Sequence, residues 1–180
     1  MPRRALILLS LLLCLTPRLH AQNNKDTALS EKEIEELRDS AYFPADRVNV
    51  FIKFLDQRSK AIQDLFAHPR KPGREQDTHD LFEEFTAIAD ELDDNLDDYS
   101  THHRDVRKSL PKLVEATERW ATALKTPPDD SAYSVSRKLA LESIRDIREE
   151  ATQLIEDQRT WFAAHPPSKE NKDNPDAIPR

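Results

Sequence analysis

Glycine is almost absent from this chain, since Gly73 is the only one among 180 residues. Sandwiches, barrels and doubly wound sheets need glycines for turns with positive φ, and loops that cradle nucleotide phosphates need several. One glycine cannot supply them. The sequence therefore disfavours the sheet classes and glycine-rich nucleotide sites, and it favours an all-helical fold.

Cysteine is equally scarce, because Cys14 is the only one. It lies in an N-terminal segment that we expect to be removed. A chain without thiols forms neither a disulfide framework nor a thiolate metal site. We expect no cofactor.

The first 21 residues have the order of a secretory signal peptide. Arg3 and Arg4 precede a run over 5–15 that is apolar except for one serine. That run is shorter than the ~20 apolar residues that a membrane-spanning helix needs. We therefore predict cleavage between Ala21 and Gln22, and a periplasmic or extracellular protein with no stable membrane span.

Three other interpretations of this segment are possible. It could remain as an uncleaved anchor, or Arg3-Arg4 could direct the chain to the twin-arginine route. Cys14 could accept a lipid, but the residues before it are leucines, where a lipoprotein signal places a small residue. Removal of the whole segment is the interpretation we favour.

Charge of one sign dominates the chain. It has 27 basic and 34 acidic residues, a net charge of −7, and the predicted signal contains basic residues but no acidic one. The remainder is therefore more acidic than the whole. Such a chain is soluble, and its charge argues against nucleic acid or an anionic membrane as a partner.

Apolar residues then recur in steps of three and four, the spacing of amphipathic, coiled-coil-like helices. Ser30 to Glu33 predicts a capping box, and Phe43-Pro44 a break. Lys71-Pro72-Gly73 predicts the clearest turn. After the loop at Pro127-Pro128, a last helix ends near His165.

The middle of the chain has two interpretations. The spacing predicts one helix over about 78–125, kinked at Pro111, in an elongated antiparallel bundle of long helices. The alternative is a reversal near Ser100 or Ser109, which gives a compact four-helix bundle. We favour the long helix, because the steps of three and four continue without a slip. The predicted organisation is a signal peptide over 1–21, a disordered lead over 22–29, one bundle domain over 30–165 and a disordered tail over 166–180.

Two groups of residues are candidate sites. Asp94, Asp98 and His102 fall at i, i+4 and i+8 of a helix and could contact a divalent cation, although a solvated face is the simpler interpretation. In the long-helix arrangement, one end is only two helices thick. It is predicted to expose a tip for a partner or for dimerisation, formed by Phe66, Leu81, Phe82 and Phe85.

The same arrangement predicts a polar layer at mid-length, formed by Tyr99, His103 and Gln158. No Glu-x-x-His motif or other known catalytic pattern occurs, so we do not expect an enzyme. The function we expect is a non-catalytic binding, scaffolding or chaperone-like module that contacts a protein partner or itself. The alternative is a small-ligand or metal-binding bundle.

Export predicts a defined N-terminus. Because a cationic stretch, an apolar run and a terminal alanine come in that order, N-terminal sequencing of exported material should begin at Gln22. A mature protein that retains Met1, or that begins at a lipid-modified Cys14, would contradict this prediction.

Overall fold

The computed structural model describes residues 28–166. The predicted signal peptide, its Ala21–Gln22 bond, and most of the predicted lead and tail lie outside this range. Within it the chain forms five helices and no strand: α1 (Glu31–Asp39), α2 (Pro44–Ala67), α3 (Arg74–Thr101), α4 (Leu110–Leu124) and α5 (Ser134–Ala164). The all-helical bundle is confirmed. Leu29 is already buried, so packing begins just before the predicted domain start.

Local signals set the helix starts that the sequence predicts. Ser30 Oγ accepts from the Glu33 amide at 3.4 Å, and the Glu33 carboxylate accepts from the Ser30 amide at 2.8 Å, which is the predicted capping box. Pro44 stands in the first turn of α2, where its missing amide proton costs nothing. Gly73 has a φ of 86°, a conformation open to glycine, and opens α3.

The predicted continuous helix over 78–125 is wrong. α3 ends at Thr101, α4 begins at Leu110, and residues 102–109 form a segment that we call the crossing segment. His103 takes a φ of 52° there, so it supplies the left-handed turn for which the chain has no glycine. Pro111 is in the first turn of α4 and not at a kink. The compact alternative is the observed arrangement.

The crossing segment keeps the helical spacing of apolar residues, which is why the pattern is misleading. Its Val106 is fully buried, as is Leu110 at the start of α4. Gln158 of α5 satisfies the backbone here: its Oε1 accepts from the Val106 amide at 3.1 Å, and its Nε2 donates to the Arg104 carbonyl at 2.6 Å. The reversal is therefore stabilised from another helix, and its local sequence signals are limited to Ser100, Ser109 and Pro111.

Contacts between side chains fix the helix directions. Arg47 and Arg58 of α2 meet Asn95 and Glu84 of α3, so these two helices are antiparallel. α2 and α5 each pack against both α3 and α4, while α3 and α4 lie diagonally across the bundle.

α3 and α5 run in parallel. His79 lies beside Ser136, and Asp90 lies beside Ser143 further along both helices. This parallel pair brings the acidic part of α3 next to α5.

The predicted exposed tip is also wrong. Phe82 and Phe85 are fully buried, and Phe66 and Leu81 are partly buried. The returning α4 places Trp120 edge-on to Phe85, with ring centroids 5.8 Å apart. Tyr133, just before α5, covers Phe82 and Phe66, with its ring centroid 5.9 Å from that of Phe82 and 6.4 Å from that of Phe66. The end that was expected to be two helices thick is closed by the reversal.

The predicted polar layer is only partly assembled. Tyr99 and Gln158 are buried, but His103 is exposed and stacks on Trp161, with ring centroids 4.3 Å apart. The seam position expected for His103 needed a helix that continues through it, and the turn removes that helix.

Replacing Gln158 tests the role of the crossing segment. Gln158→Leu leaves the buried Val106 amide and the Arg104 carbonyl without the partner they have in α5. It should lower the free energy of unfolding by about 2–4 kcal/mol in urea denaturation. Gln153→Leu, at an exposed position of the same helix, is the control and should change little. Equal losses in the two variants would contradict the assigned role.

Candidate functional site

The parallel α3–α5 pair carries carboxylates on both sides of its interface. We call this surface the acidic seam. It consists of Asp90, Asp93 and Asp97 on α3, and Asp146, Glu150 and Asp157 on α5. Asp93 and Glu150 are partly buried, whereas the other four are exposed. The seam thus surrounds two half-shielded carboxylates with like charges.

Like charge and burial both act on these two groups. Burial raises the pKa of Asp93 above its usual value, with Asp146 and Asp90 adding to the effect. Burial likewise raises the pKa of Glu150, with Asp93 and Asp97 contributing from α3. The ionised carboxylates of Asp93 and Glu150 therefore lower the stability of the folded protein.

Some neighbours reduce this repulsion in part. Arg145 pairs with Asp146 at 2.9 Å, and the Ser143 hydroxyl donates to Asp90 at 3.0 Å. Both contacts lie at one end of the seam. Arg148 is directed elsewhere, since it pairs with Glu118 of α4 at 2.8 Å.

The structure does not assemble the predicted metal candidate. α3 ends at Thr101 with His102 as its C-cap, and the His102 amide still donates to the Asp98 carbonyl at 3.0 Å, so His102 stays beside Asp98. His102 Nδ1 lies 3.0 Å from Asp98 Oδ1, and both side chains are exposed. Asp94 does not join them in a three-residue cluster in the described part of the chain. Of the three candidate residues, the structure therefore brings together Asp98 and His102 but not Asp94.

A different group can hold a cation. The ligand atoms of His79, Asp80 and Glu83 lie within 4.8 Å of one another, the one such cluster found between residues 28 and 166. Ser136 Oγ lies 3.1 Å from His79 Nδ1 and 3.2 Å from the Tyr133 carbonyl, so this hydroxyl orients the imidazole.

His79 Nε2 lies 3.1 Å from Glu83 Oε1, one turn further along α3. The histidine–glutamate spacing of four was a signal in the sequence. The orienting Ser136 was not.

A second feature is the attachment of α1. Arg58 of α2 donates to both Glu33 oxygens, at 2.6 and 3.0 Å, and to the Ala28 carbonyl at 2.9 Å. Arg47 donates to the Leu37 carbonyl at 2.8 Å. Ionic and polar contacts therefore fasten α1 to α2.

On its other side, α1 borders an open cavity of about 540 Å³ against α3, which we call the α1 groove. Its walls are mostly apolar. The residues that line it are Ala28, Leu29, Ile34, Leu37, Arg38, Ala41, Arg47, Ala87, Ile88 and Glu91. The groove cannot be recognised from the sequence, because its two walls are about 50 positions apart in the chain.

Comparison with protein-family models, with curated proteins and with solved structures finds no match for this chain. None of the helices between residues 28 and 166 is both long and apolar enough to span a membrane. Function must therefore be argued from the surfaces described above.

The Glu33–Arg58 contact predicts a pH-dependent contribution to stability. The hydrogen bond from Arg58 lowers the pKa of Glu33 from 4.5 to about 2, despite burial. A lowered pKa stabilises the fold above pH 4.5, and that stabilisation is lost as the pH falls toward 2. Glu33→Gln should therefore lower the free energy of unfolding by about 1.5–3 kcal/mol at pH 7.

The difference between wild type and Glu33→Gln should shrink between pH 4.5 and 2 in urea denaturation. Glu36→Gln is the matched control, since it removes a more exposed carboxylate paired with Lys53. It should cost less than about 1 kcal/mol. A difference for Glu33→Gln that is the same at every pH would contradict the assignment.

Proposed function

We propose that this protein is an exported, non-catalytic helical bundle that acts by protein contact, and that the acidic seam binds a basic segment of its partner. The observation that carries the proposal is the set of like charges gathered on two parallel helices. Asp93 and Glu150 remain there although burial raises the pKa of both carboxyl groups and Asp93 adds to the rise at Glu150.

Such an arrangement is costly for the isolated fold. Like charges on neighbouring helices repel, and partial burial deprives Asp93 and Glu150 of water. Arg148 of α5 is paired with Glu118 of α4. Lysine or arginine side chains from a partner would offset the repulsion, so the stability lost in the free protein becomes affinity in the complex.

The sign of the charge selects the class of partner. Carboxylates repel nucleic-acid phosphates and anionic lipid headgroups, whereas a basic protein segment complements them. Export, if the N-terminal segment acts as a signal, places this contact in the cell envelope or outside the cell. Binding, scaffolding and chaperone-like action all fit such a contact.

The small-ligand or metal-binding bundle remains the second candidate. The α1 groove supports a small ligand, and the group of His79, Asp80 and Glu83 supports a cation. Neither depends on the acidic seam.

The double variant Asp93→Asn/Glu150→Gln tests the proposal by separating stability from binding. Removing two repelling charges should raise the free energy of unfolding by about 0.5–1 kcal/mol at pH 7. Since both pKa values are raised, the gain should vanish as the pH falls through them and the wild-type groups take up protons. Urea denaturation across this range measures both effects.

The same variant should bind a lysine-rich peptide at least fivefold more weakly than wild type, and wild-type binding should weaken with salt. Glu35→Gln/Asp39→Asn is the control, because it makes the same charge change on exposed positions of α1. Equal weakening in both double variants would show that net charge alone attracts the peptide. That result would contradict the assignment of the acidic seam as the binding surface.

A further inference from the structure

The α1 groove has an apolar helix face with no protein partner in the described residues. Ile34, Arg38 and Ala41 follow at i, i+4 and i+7 along α1 and its C-terminal turn, and all three line the groove. Among the helices, α1 packs against α2 alone. Ile34 is 37% exposed, an unusual position for an isoleucine whose neighbour Leu37 is in the core. The groove therefore offers apolar surface that another molecule could cover.

Polar contacts hold α1 against α2, on the side of α1 that faces away from the groove. Glu33 is bound by Arg58, and Glu36 by Lys53 at 2.6 Å, so α1 is attached along its α2 side. The opposite wall presents the small side chain of Ala87 beside Ile88. A volume of about 540 Å³ lies within the ~300–1,000 Å³ typical of small-molecule sites.

The charges at the rim are not equivalent. Arg47 is fully engaged, since it donates to Asn95, to the Leu37 carbonyl and to Glu91. Glu91 is therefore partly neutralised. Arg38 is exposed, and its guanidinium has no hydrogen bond or ion pair with any residue of the described range. The groove thus combines apolar walls with one uncommitted cation.

From this combination we propose that the α1 groove binds a fatty acid anion, with the alkyl chain between the exposed Ile34 and Ala87 and the carboxylate at Arg38. A guanidinium binds a carboxylate through two parallel hydrogen bonds, and an alkyl chain covers a narrow apolar surface. The chain's own residues 22–27, Gln-Asn-Asn-Lys-Asp-Thr, are polar and do not match the walls. A cationic amphiphile would meet Arg38 with like charge.

This site is separate from the acidic seam, because the groove lies between α1 and α3 whereas the seam lies between α3 and α5. The two proposals can therefore fail independently. Variants in the groove should leave binding of the lysine-rich peptide unchanged, and this is measured alongside.

Calorimetric titration of the purified protein with dodecanoate, below its micellar concentration, tests the proposal. We expect one saturable site, and each methylene removed from the ligand should weaken binding by roughly fourfold. Ala87→Leu fills the groove from an exposed helical position and should weaken binding at least tenfold. Ala163→Leu, exposed on α5, is the control for added bulk.

The head group is tested with Arg38→Gln against Lys32→Gln, which makes the same charge change at another exposed position of α1. Wild type should prefer dodecanoate over dodecanol by about fivefold or more, and Arg38→Gln should lose that preference. Lys32→Gln should keep it. This comparison remains decisive even where Ala87→Leu fails to fold.

Several outcomes would overturn the proposal. They are the absence of saturable binding, affinity independent of chain length, equal binding by Ala87→Leu and Ala163→Leu, and a head-group preference that survives in Arg38→Gln. Sedimentation of the protein without ligand tests the other possible occupant of the groove, a second copy of the chain. A dimer that Ala87→Leu dissociates would show that a second copy fills the groove, and the fatty acid site would be rejected.

Discussion

The bundle depends on the buried side-chain amide of Gln158, which forms hydrogen bonds with the backbone of the crossing segment. Residues 102–109 pass between two diagonal helices at one end of the core, where a peptide group without a partner is costly. Gln158 accepts from the Val106 amide and donates to the Arg104 carbonyl, so one side chain serves both polarities. With the segment held, α4 returns along the core, and Trp120 and Tyr133 close over the phenylalanines of α3.

The features that could be predicted from the sequence are those with a local cause. The Ser30 capping box, the break before Pro44 and the turn at Gly73 each arise from residues within a few positions of one another. The reversal after Thr101 is different. Its turn is made by His103 in a conformation that histidine rarely takes, and its stabilising partner is more than 50 positions away. The period of apolar residues passes through it unchanged.

The candidate sites show the same division. The acidic run of α3 was visible in the sequence, but its partners on α5 were not, because only the parallel packing of the two helices brings Glu150 to Asp93. Of the metal candidate, Asp98 and His102 are in contact, but Asp94 does not join them. The α1 groove depends on the path of α1 and on the hydrogen bonds that occupy Arg47. The spacing of residues along the sequence shows neither of them.

The attachment of α1 has a consequence for how the protein moves. Within the helix only Leu37 is fully buried, so most of what holds α1 is the set of charged contacts with α2. We expect a helix of nine residues held in this way to detach at a free energy well below that of global unfolding. Its amide protons should therefore exchange with solvent in an opening that leaves α2 to α5 intact. α1 thus behaves as a separate cooperative unit on the side of a more stable bundle.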